Sequence, residues 1–287
     1  MSVYPIILSQ TKFTHRDKLR YPFEERGLQF GDGVYEVIRI YKGSYYLLHE
    51  HVNRLFRSAE AIKLVLPFSK EEITNLLLDL LQRNDMTADG KVYLQSTRGS
   101  APREHTFPED VEANVYAYVQ DLPRNHKNLE NGVNVITRHD SRWDYCYIKS
   151  LNLLPNVLAK QEAKENGCFE AIFHKDGLVT ECSSSNAYLV KDGKIYTHPA
   201  SSSILHGCVR MRVEQFASDL SLPFIENGFS LDDIKDADEM FLSSSTAEVT
   251  PIVSVDGAKV GNGTPGKHTR KLQEAYEKDA NIIKHTV

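Results

Sequence analysis

Tyr147-Ile148-Lys149-Ser150-Leu151-Asn152 sets a single lysine in an otherwise uncharged, largely apolar stretch. Further along, Val179-Thr180-Glu181-Cys182-Ser183-Ser184-Ser185-Asn186 places a carboxylate at the end of a β-rich run, against small hydroxyl residues. Alone, an isolated lysine is usually a solvated charge, and Glu181 alone would serve as a cap for the turn made by the serines. Together they suit one chemistry. A lysine able to lose its proton, with a carboxylate able to keep a ring nitrogen protonated, is the pair that imine chemistry on a heterocyclic cofactor requires.

The chain around these segments bounds the possibilities. Its 287 residues are comfortable for two modest domains, and a composition of 41% apolar and 25% charged residues is that of an ordinary globular protein. A formal charge of −5 with no basic block argues against a general nucleic-acid or membrane-surface binder, which leaves small molecules and protein partners. Cys146, Cys168, Cys182 and Cys208 form no C-x-x-C pair and no Cys/His set at zinc spacing, so no metal site is expected. Met1-Ser2-Val3-Tyr4-Pro5 opens no signal-like pattern, and no run approaches the length of a membrane span, so a reduced cytoplasmic setting is expected.

Residues 1–120 read as a small α/β domain. A strand is expected over 34–41, and Lys42-Gly43-Ser44 turns it into a second strand over 45–48. Val52, Leu55, Phe56, Ala59 and Ile62 recur at helical spacing within 49–62. Ser69 with Glu72 is a capping box, opening a helix whose inner face is Ile73, Leu76, Leu77 and Leu80. Strands are expected over 91–97 and 113–119. Residues 121–132 are polar and carry Pro123, which marks an interdomain linker. Residues 133–287 read as a larger domain carrying Lys149. It should hold a strand over 133–137, a helix over 155–166 stopped by Gly167, and helices over 209–220 and 268–283. Lys175-Asp176-Gly177 and Lys191-Asp192-Gly193 are hairpin turns of an antiparallel region.

The stretch Lys149-Ser150-Leu151-Asn152-Leu153-Leu154, followed by Ala159-Lys160-Gln161-Glu162-Ala163, resembles the lysine segment of fold-type-IV pyridoxal phosphate enzymes. Within that class it is most similar to the D-amino-acid aminotransferases. The resemblance implies an α+β (mixed α/β) fold of two domains, the larger with an antiparallel, barrel-like β core. It implies pyridoxal 5′-phosphate as cofactor, Lys149 as the Schiff-base lysine and proton shuttle, and Glu181 as partner of the protonated pyridine nitrogen. Gly207 before a helix offers an anion cradle, because first-turn amides have no intrahelical partner. By the match, the amides of Cys208 and Val209 would take the phosphate. Relatives commonly carry Thr where Val209 stands, so one hydroxyl donor is missing and cofactor affinity is expected to be somewhat lower. Ser243-Ser244-Ser245-Thr246-Ala247-Glu248-Val249-Thr250-Pro251 resembles the family's second phosphate segment, with Ser244 and Ser245 as donors. Arg54 matches the phosphate arginine, and Leu205 a side chain that packs against the ring.

Two further segments concern the substrate. Phe30-Gly31-Asp32-Gly33-Val34-Tyr35-Glu36 resembles the glycine-rich turn of the same fold class and offers the hydroxyl of Tyr35. Arg98-Gly99-Ser100-Ala101-Pro102-Arg103-Glu104-His105 presents Arg103 as a fork for a carboxylate and His105 as a second donor. Arg-x-His here resembles the carboxylate trap of D-amino-acid aminotransferases, a loop that the family donates across a homodimer interface. The implied reaction is a ping-pong transfer from D-alanine to 2-oxoglutarate, giving pyruvate and D-glutamate. An L-branched-chain aminotransferase would share the cofactor residues and differ in the Arg103/His105 loop. An aminodeoxychorismate lyase would use the same Schiff base for elimination. A cofactor-binding scaffold without turnover is opposed by the intact Lys149 and Glu181. Handedness comes from the resemblance alone, because it depends on which side of the bound substrate the pockets occupy.

Overall fold

Val34, Glu36, Ile38 and Ile40 alternate along one strand and are all buried, and the sheet built around that strand organises the first half of the chain. The computed structural model describes residues 2–282, which divide into two compact units. The first runs as far as Arg124 and also takes in Ile148–Asn152. Its elements are β1 (Ile6–Ser9), β2 (Lys12–His15), α1 (Arg26–Phe30), β3 (Gly33–Tyr41), β4 (Ser44–Tyr45), α2 (Leu48–Ala61), α3 (Lys70–Arg83), β5 (Gly90–Thr97) and β6 (Asn114–Asp121). The strands make one antiparallel sheet in the order β2-β1-β6-β5-β3-β4. One face packs against α2 and α3, where Val34, Ile38, Val92 and Leu94 meet Val52, Leu55, Ile73 and Leu77. The other face carries Tyr35, Tyr93 and Tyr118, whose rings follow one another at 5.8 and 5.5 Å.

Local signals account for most of these boundaries. Helix α3 opens on the expected capping box, with Ser69 N donating to Glu72 Oε2 at 2.7 Å and Glu72 N to Ser69 Oγ at 3.2 Å. The strand expected over 45–48 is cut short. Leu47 takes a left-handed φ of 59° as the residue before α2, which turns the chain out of the sheet after Tyr45.

The second unit comprises Asn125–Tyr147 and the chain from Leu153 onward. Its elements are α4 (His126–Asn131), β7 (Val133–His139), α5 (Leu154–Glu165), β8 (Glu170–Lys175), β9 (Leu178–Cys182), β10 (Asn186–Lys191), β11 (Lys194–Thr197), α6 (Cys208–Asp219), β12 (Phe224–Ile225), β13 (Glu239–Ser244), β14 (Glu248–Val255), β15 (Ala258–Lys259) and α7 (Lys267–Asp279). The end of the last helix as expected from sequence, Ile283, lies outside the described residues. The sheet runs β12-β11-β10-β13-β14-β7-β8-β9, with β15 beside β14. Both Lys-Asp-Gly turns are hairpins with two left-handed residues each: Asp176 (51°) with Gly177 (82°), and Asp192 (50°) with Gly193 (72°). The core is mixed and not wholly antiparallel. β7 runs parallel to both β14 and β8, and the connection from β7 to β8 passes through α5 as a helical crossover.

The lysine segment groups with the first unit, whereas the sequence placed it in the second domain. Its backbone explains why. β4 pairs only with Ile40 and Tyr41, which leaves the start of β3 with an open edge. Tyr35 N donates to Lys149 O at 3.0 Å and Leu151 N to Gly33 O at 3.0 Å, so residues 148–152 close that edge. The unit boundary between Arg124 and Asn125 falls inside the stretch read as a linker, whose later half is helix α4. Among the described residues, no helix is long and apolar enough to cross a membrane, and no group of His, Cys, Asp or Glu is arranged to hold a metal ion.

Candidate active site

Closing the edge of β3 fixes the backbone of Lys149 while its side chain stays only half-buried. Lys149 N also donates to Ser58 Oγ on α2 at 3.2 Å. The amine then lies 3.2 Å from the Tyr35 hydroxyl and 4.2 Å from the centroid of the Tyr35 ring. Tyr35 is on the aromatic face of β3, and its neighbour Tyr93 is held protonated far above neutrality by burial. The sequence-predicted pair Lys149 and Tyr35 therefore shares one site in the first unit.

Arg54 belongs to the same unit, on the buried face of α2 one helical turn before Ser58. Its Nε and Nη2 donate to the two oxygens of Glu36 at 2.8 and 2.7 Å, and His51 Nδ1 lies 2.7 Å from Glu36 Oε2. Burial alone would raise the Glu36 carboxyl, but Arg54 and His51 together hold it well below the usual carboxylate range. The fork–fork pairing fixes the guanidinium plane.

Glu181, at the end of β9, is the centre of the second unit's polar cluster. Leu205 N donates to both of its oxygens at 3.1 Å, Asn186 Nδ2 to Oε2 at 3.0 Å, and Arg142 Nη1 to Oε1 at 2.5 Å. Burial pushes the carboxyl upward, and Arg142 and the Leu205 amide oppose that push without reversing it, so the group stays above the usual carboxylate value. Leu205, expected from the resemblance as a ring contact, thus has a second link to the site through its amide.

The same Asn186 side chain ties this carboxylate to a helix end. Its Nδ2 also donates to Leu205 O at 2.9 Å, and its Oδ1 lies where a Cβ on Gly207 would have to go. Gly207 is the N-cap of α6 and offers no side chain to the first turn, in which Cys208 and Val209 are almost wholly buried. The start of a twelve-residue helix, whose first-turn amides have no intrahelical partner and whose dipole is positive there, suits an anion. Asn186 also pairs in register with Ser243, so the Ser244-Ser245 turn leaves β13 beside the same residue. Ser244 Oγ accepts from Ala247 N at 3.1 Å, which shapes that turn. A carboxylate for a ring nitrogen and an uncapped helix end for a phosphate, joined by one amide side chain, are what pyridoxal 5′-phosphate needs. The residues fit that group.

Arg103 and His105 lie on an exposed loop of the first unit. Phe30 supports both: the Arg103 guanidinium is 4.8 Å from its ring centroid and the His105 ring 5.5 Å. Among the described residues neither makes an ion pair within this chain. By contrast Arg98, at the base of the loop, is fully engaged by Asp32 and the carbonyls of Ile62 and Lys63.

Glu36, Arg142 and Asn186 are among the cluster residues that escaped the sequence reading. Glu36 had a signal, since a carboxylate within the buried alternation of β3 needs a partner on the packed helix. Arg142 and Asn186 had none, because each acts through a residue that the fold brings to it.

Comparison with known proteins places this geometry. A family model described as Amino-transferase class IV matches residues 33–255. The D-alanine aminotransferase of Staphylococcus aureus (strain COL) is 46% identical over 268 residues, covering 93% of this chain and 95% of that one. That of Bacillus licheniformis is 45% identical over 271 residues, 94% and 95% of the two chains. Among solved structures, the branched-chain amino acid aminotransferase of Escherichia coli superposes with a TM-score of 0.90 at 25% identity, covering 96% of this chain and 94% of that one. The branched-chain aminotransferase of the thermophilic archaeon Thermoproteus uzoniensis, solved with norvaline, gives a TM-score of 0.88 at 25% identity, with coverage of 98% and 96%.

Proposed function

The chain belongs to the class-IV aminotransferases, and from that premise we propose that it transfers amino groups between D-amino acids and 2-oxo acids with pyridoxal 5′-phosphate as cofactor. D-Alanine and 2-oxoglutarate would give pyruvate and D-glutamate in a ping-pong cycle. The observation that carries the reading is the half-buried amine of Lys149, anchored through its backbone and touched at its tip by the Tyr35 hydroxyl. The D preference rests on relatives such as those of Staphylococcus and Bacillus, together with Arg103 and His105.

When bound, the cofactor supplies an electron sink that makes the substrate Cα–H acidic. Lys149 takes that proton and returns it on the other side of the exchange, acting as general base and then general acid. Tyr35 orients the amine through its hydroxyl. Glu181 would face the ring nitrogen and favour its protonated form, and Leu205, whose amide restrains Glu181, would pack against the ring. Arg54, the amides of Cys208 and Val209, and the donors of Ser244 and Ser245 would hold the phosphate. At Val209 only the amide would contribute, so we expect cofactor binding to be weaker there than with a hydroxyl residue.

Arg103 and His105 bind the substrate carboxylate, and we assign them to the site of the second subunit in a homodimer. Support comes from their exposure, and from their having no ion-pair partner among the described residues of their own chain. We assign the protein to the cytoplasm, where thiols such as those of its four cysteines stay reduced.

A half-reaction tests the reading. Protein loaded with pyridoxal 5′-phosphate is mixed with D-alanine or with L-leucine, and the visible absorbance of the cofactor is followed. Bleaching with D-alanine only is expected. Bleaching with L-leucine only would reassign the chain to branched-chain transamination, and a coloured protein bleached by neither would leave the lyase.

A further inference from the structure

The charge around Glu181 extends well beyond that carboxylate, and its arrangement is ordered. Thr180 Oγ1 donates to Asp140 Oδ2 at 2.7 Å. Asp140 grips Arg142 in fork geometry, Nε to Oδ1 at 2.9 Å and Nη2 to Oδ2 at 2.8 Å, and also accepts from Arg142 N at 3.1 Å. Nη2 donates in addition to Ser203 O at 3.3 Å, and the guanidinium plane lies 4.8 Å from the centroid of Phe173. Only Nη1 is left to face Glu181, and it does so at 2.5 Å. Both side chains of the Asp140–Arg142 pair are 7% exposed.

We propose that Arg142, aimed by Asp140, is a positioning residue for transamination that holds Glu181 as a charged carboxylate in a single orientation. The inference rests on the cofactor assignment above. Its logic is electrostatic. An isolated buried Glu181 would take up a proton and could no longer stabilise a protonated ring nitrogen. Arg142 opposes that, yet a simple ion pair would cancel the negative charge that the ring nitrogen needs. Asp140 restores it, since two carboxylates and one guanidinium leave the cluster with one net negative charge. The nearby Cys146 thiol does not add to that charge, because burial pushes it up to about 11. Fixing a functional ligand through a hydrogen-bonded partner is how metal and cofactor sites commonly obtain both basicity and aim.

Arg142→Gln, Arg142→Lys and Asp140→Asn test this in the cofactor-loaded protein. The readouts are the visible absorption spectrum across pH, the dissociation constant for pyridoxal 5′-phosphate, and kcat and KM for D-alanine. Arg142→Gln should shift the visible band, weaken cofactor binding and lower kcat, each change of function being about 10- to 100-fold, with KM little altered. Arg142→Lys should recover part of the loss, and Asp140→Asn should move the spectrum in the same direction by less. A folded Arg142→Gln variant with the wild-type spectrum and kcat would overturn the inference. If that variant does not fold, Asp140→Asn decides, and an unchanged spectrum there overturns it equally. Wild-type protein that takes up no pyridoxal 5′-phosphate would instead overturn the functional reading itself.

Discussion

Lys149 and Glu181 are held in opposite ways. The lysine is anchored by its backbone, at Ser58 and along the edge of β3, and among the described residues its amine has a single hydrogen-bond partner in Tyr35. The glutamate is restrained at the side chain itself, by Arg142, Asn186 and the amide of Leu205. The contrast suits the role proposed for each group. A residue that bonds, releases and shuttles a proton needs a free tip on a fixed base. A residue that only stabilises charge gains from having no freedom, because preorganised dipoles cost nothing to reorganise during the reaction.

The sharpest way to break this comparison is Lys149→Ala. It should lower kcat by about 10⁴-fold or more, roughly 5.5 kcal/mol, while the fold survives, because the edge of β3 is closed by backbone and not by the amine. Single-turnover bleaching with D-alanine checks it, and transfer within tenfold of wild type would remove Lys149 from the chemistry.

Next in size is Glu36→Gln, which strips the carboxylate from beneath Arg54. Breaking a buried ion pair at one partner should destabilise the protein by about 3 kcal/mol, read as a lower urea midpoint. The pH dependence has a definite sign. Glu36 is depressed in the folded state, so its contribution is present above its unfolded value near about 4.3 and is lost as the pH falls below that. The variant should lose stability less steeply than wild type in that acid range. Parallel acid unfolding curves for the two proteins would show that Glu36 is not the depressed group.

Arg103→Ala carries the comparison to a cation with no ion-pair partner among the described residues of its own chain. It should raise KM for D-alanine and 2-oxoglutarate by about 10-fold with little change in kcat, as expected for a contact made equally in ground and transition states. Steady-state kinetics with both substrates checks this, and an unchanged KM would return the loop to a solvent-facing role. The smallest effect belongs to Tyr35→Phe. Losing this one hydrogen bond to the lysine amine should cost about 1 kcal/mol, a fall of roughly fivefold in kcat. A loss as large as that of Lys149→Ala would mean that Tyr35 itself moves the proton.

Much of this protein is written locally. The Ser69/Glu72 capping box, both Lys-Asp-Gly hairpins, the apolar face of α2 and the uncapped helix after Gly207 depend on neighbouring φ and ψ values and on side-chain periodicity, and each is readable from adjacent residues. The amphipathic pattern around Arg54 likewise predicts its inward face. Partner choice is another matter. Lys149 sits with the first unit because the start of β3 had an unpaired edge, Arg54 found Glu36 because α2 packs on that face, and Arg142 found Glu181 across β9. A buried charge must be neutralised by whichever group the packing delivers, and that delivery is decided by contacts far apart in the chain. Motifs and the resemblance they carry thus pointed to the chemistry of this chain, because reactive residue types stand in short local patterns, while only the tertiary structure decided which groups hold its lysine loose and its glutamate fast.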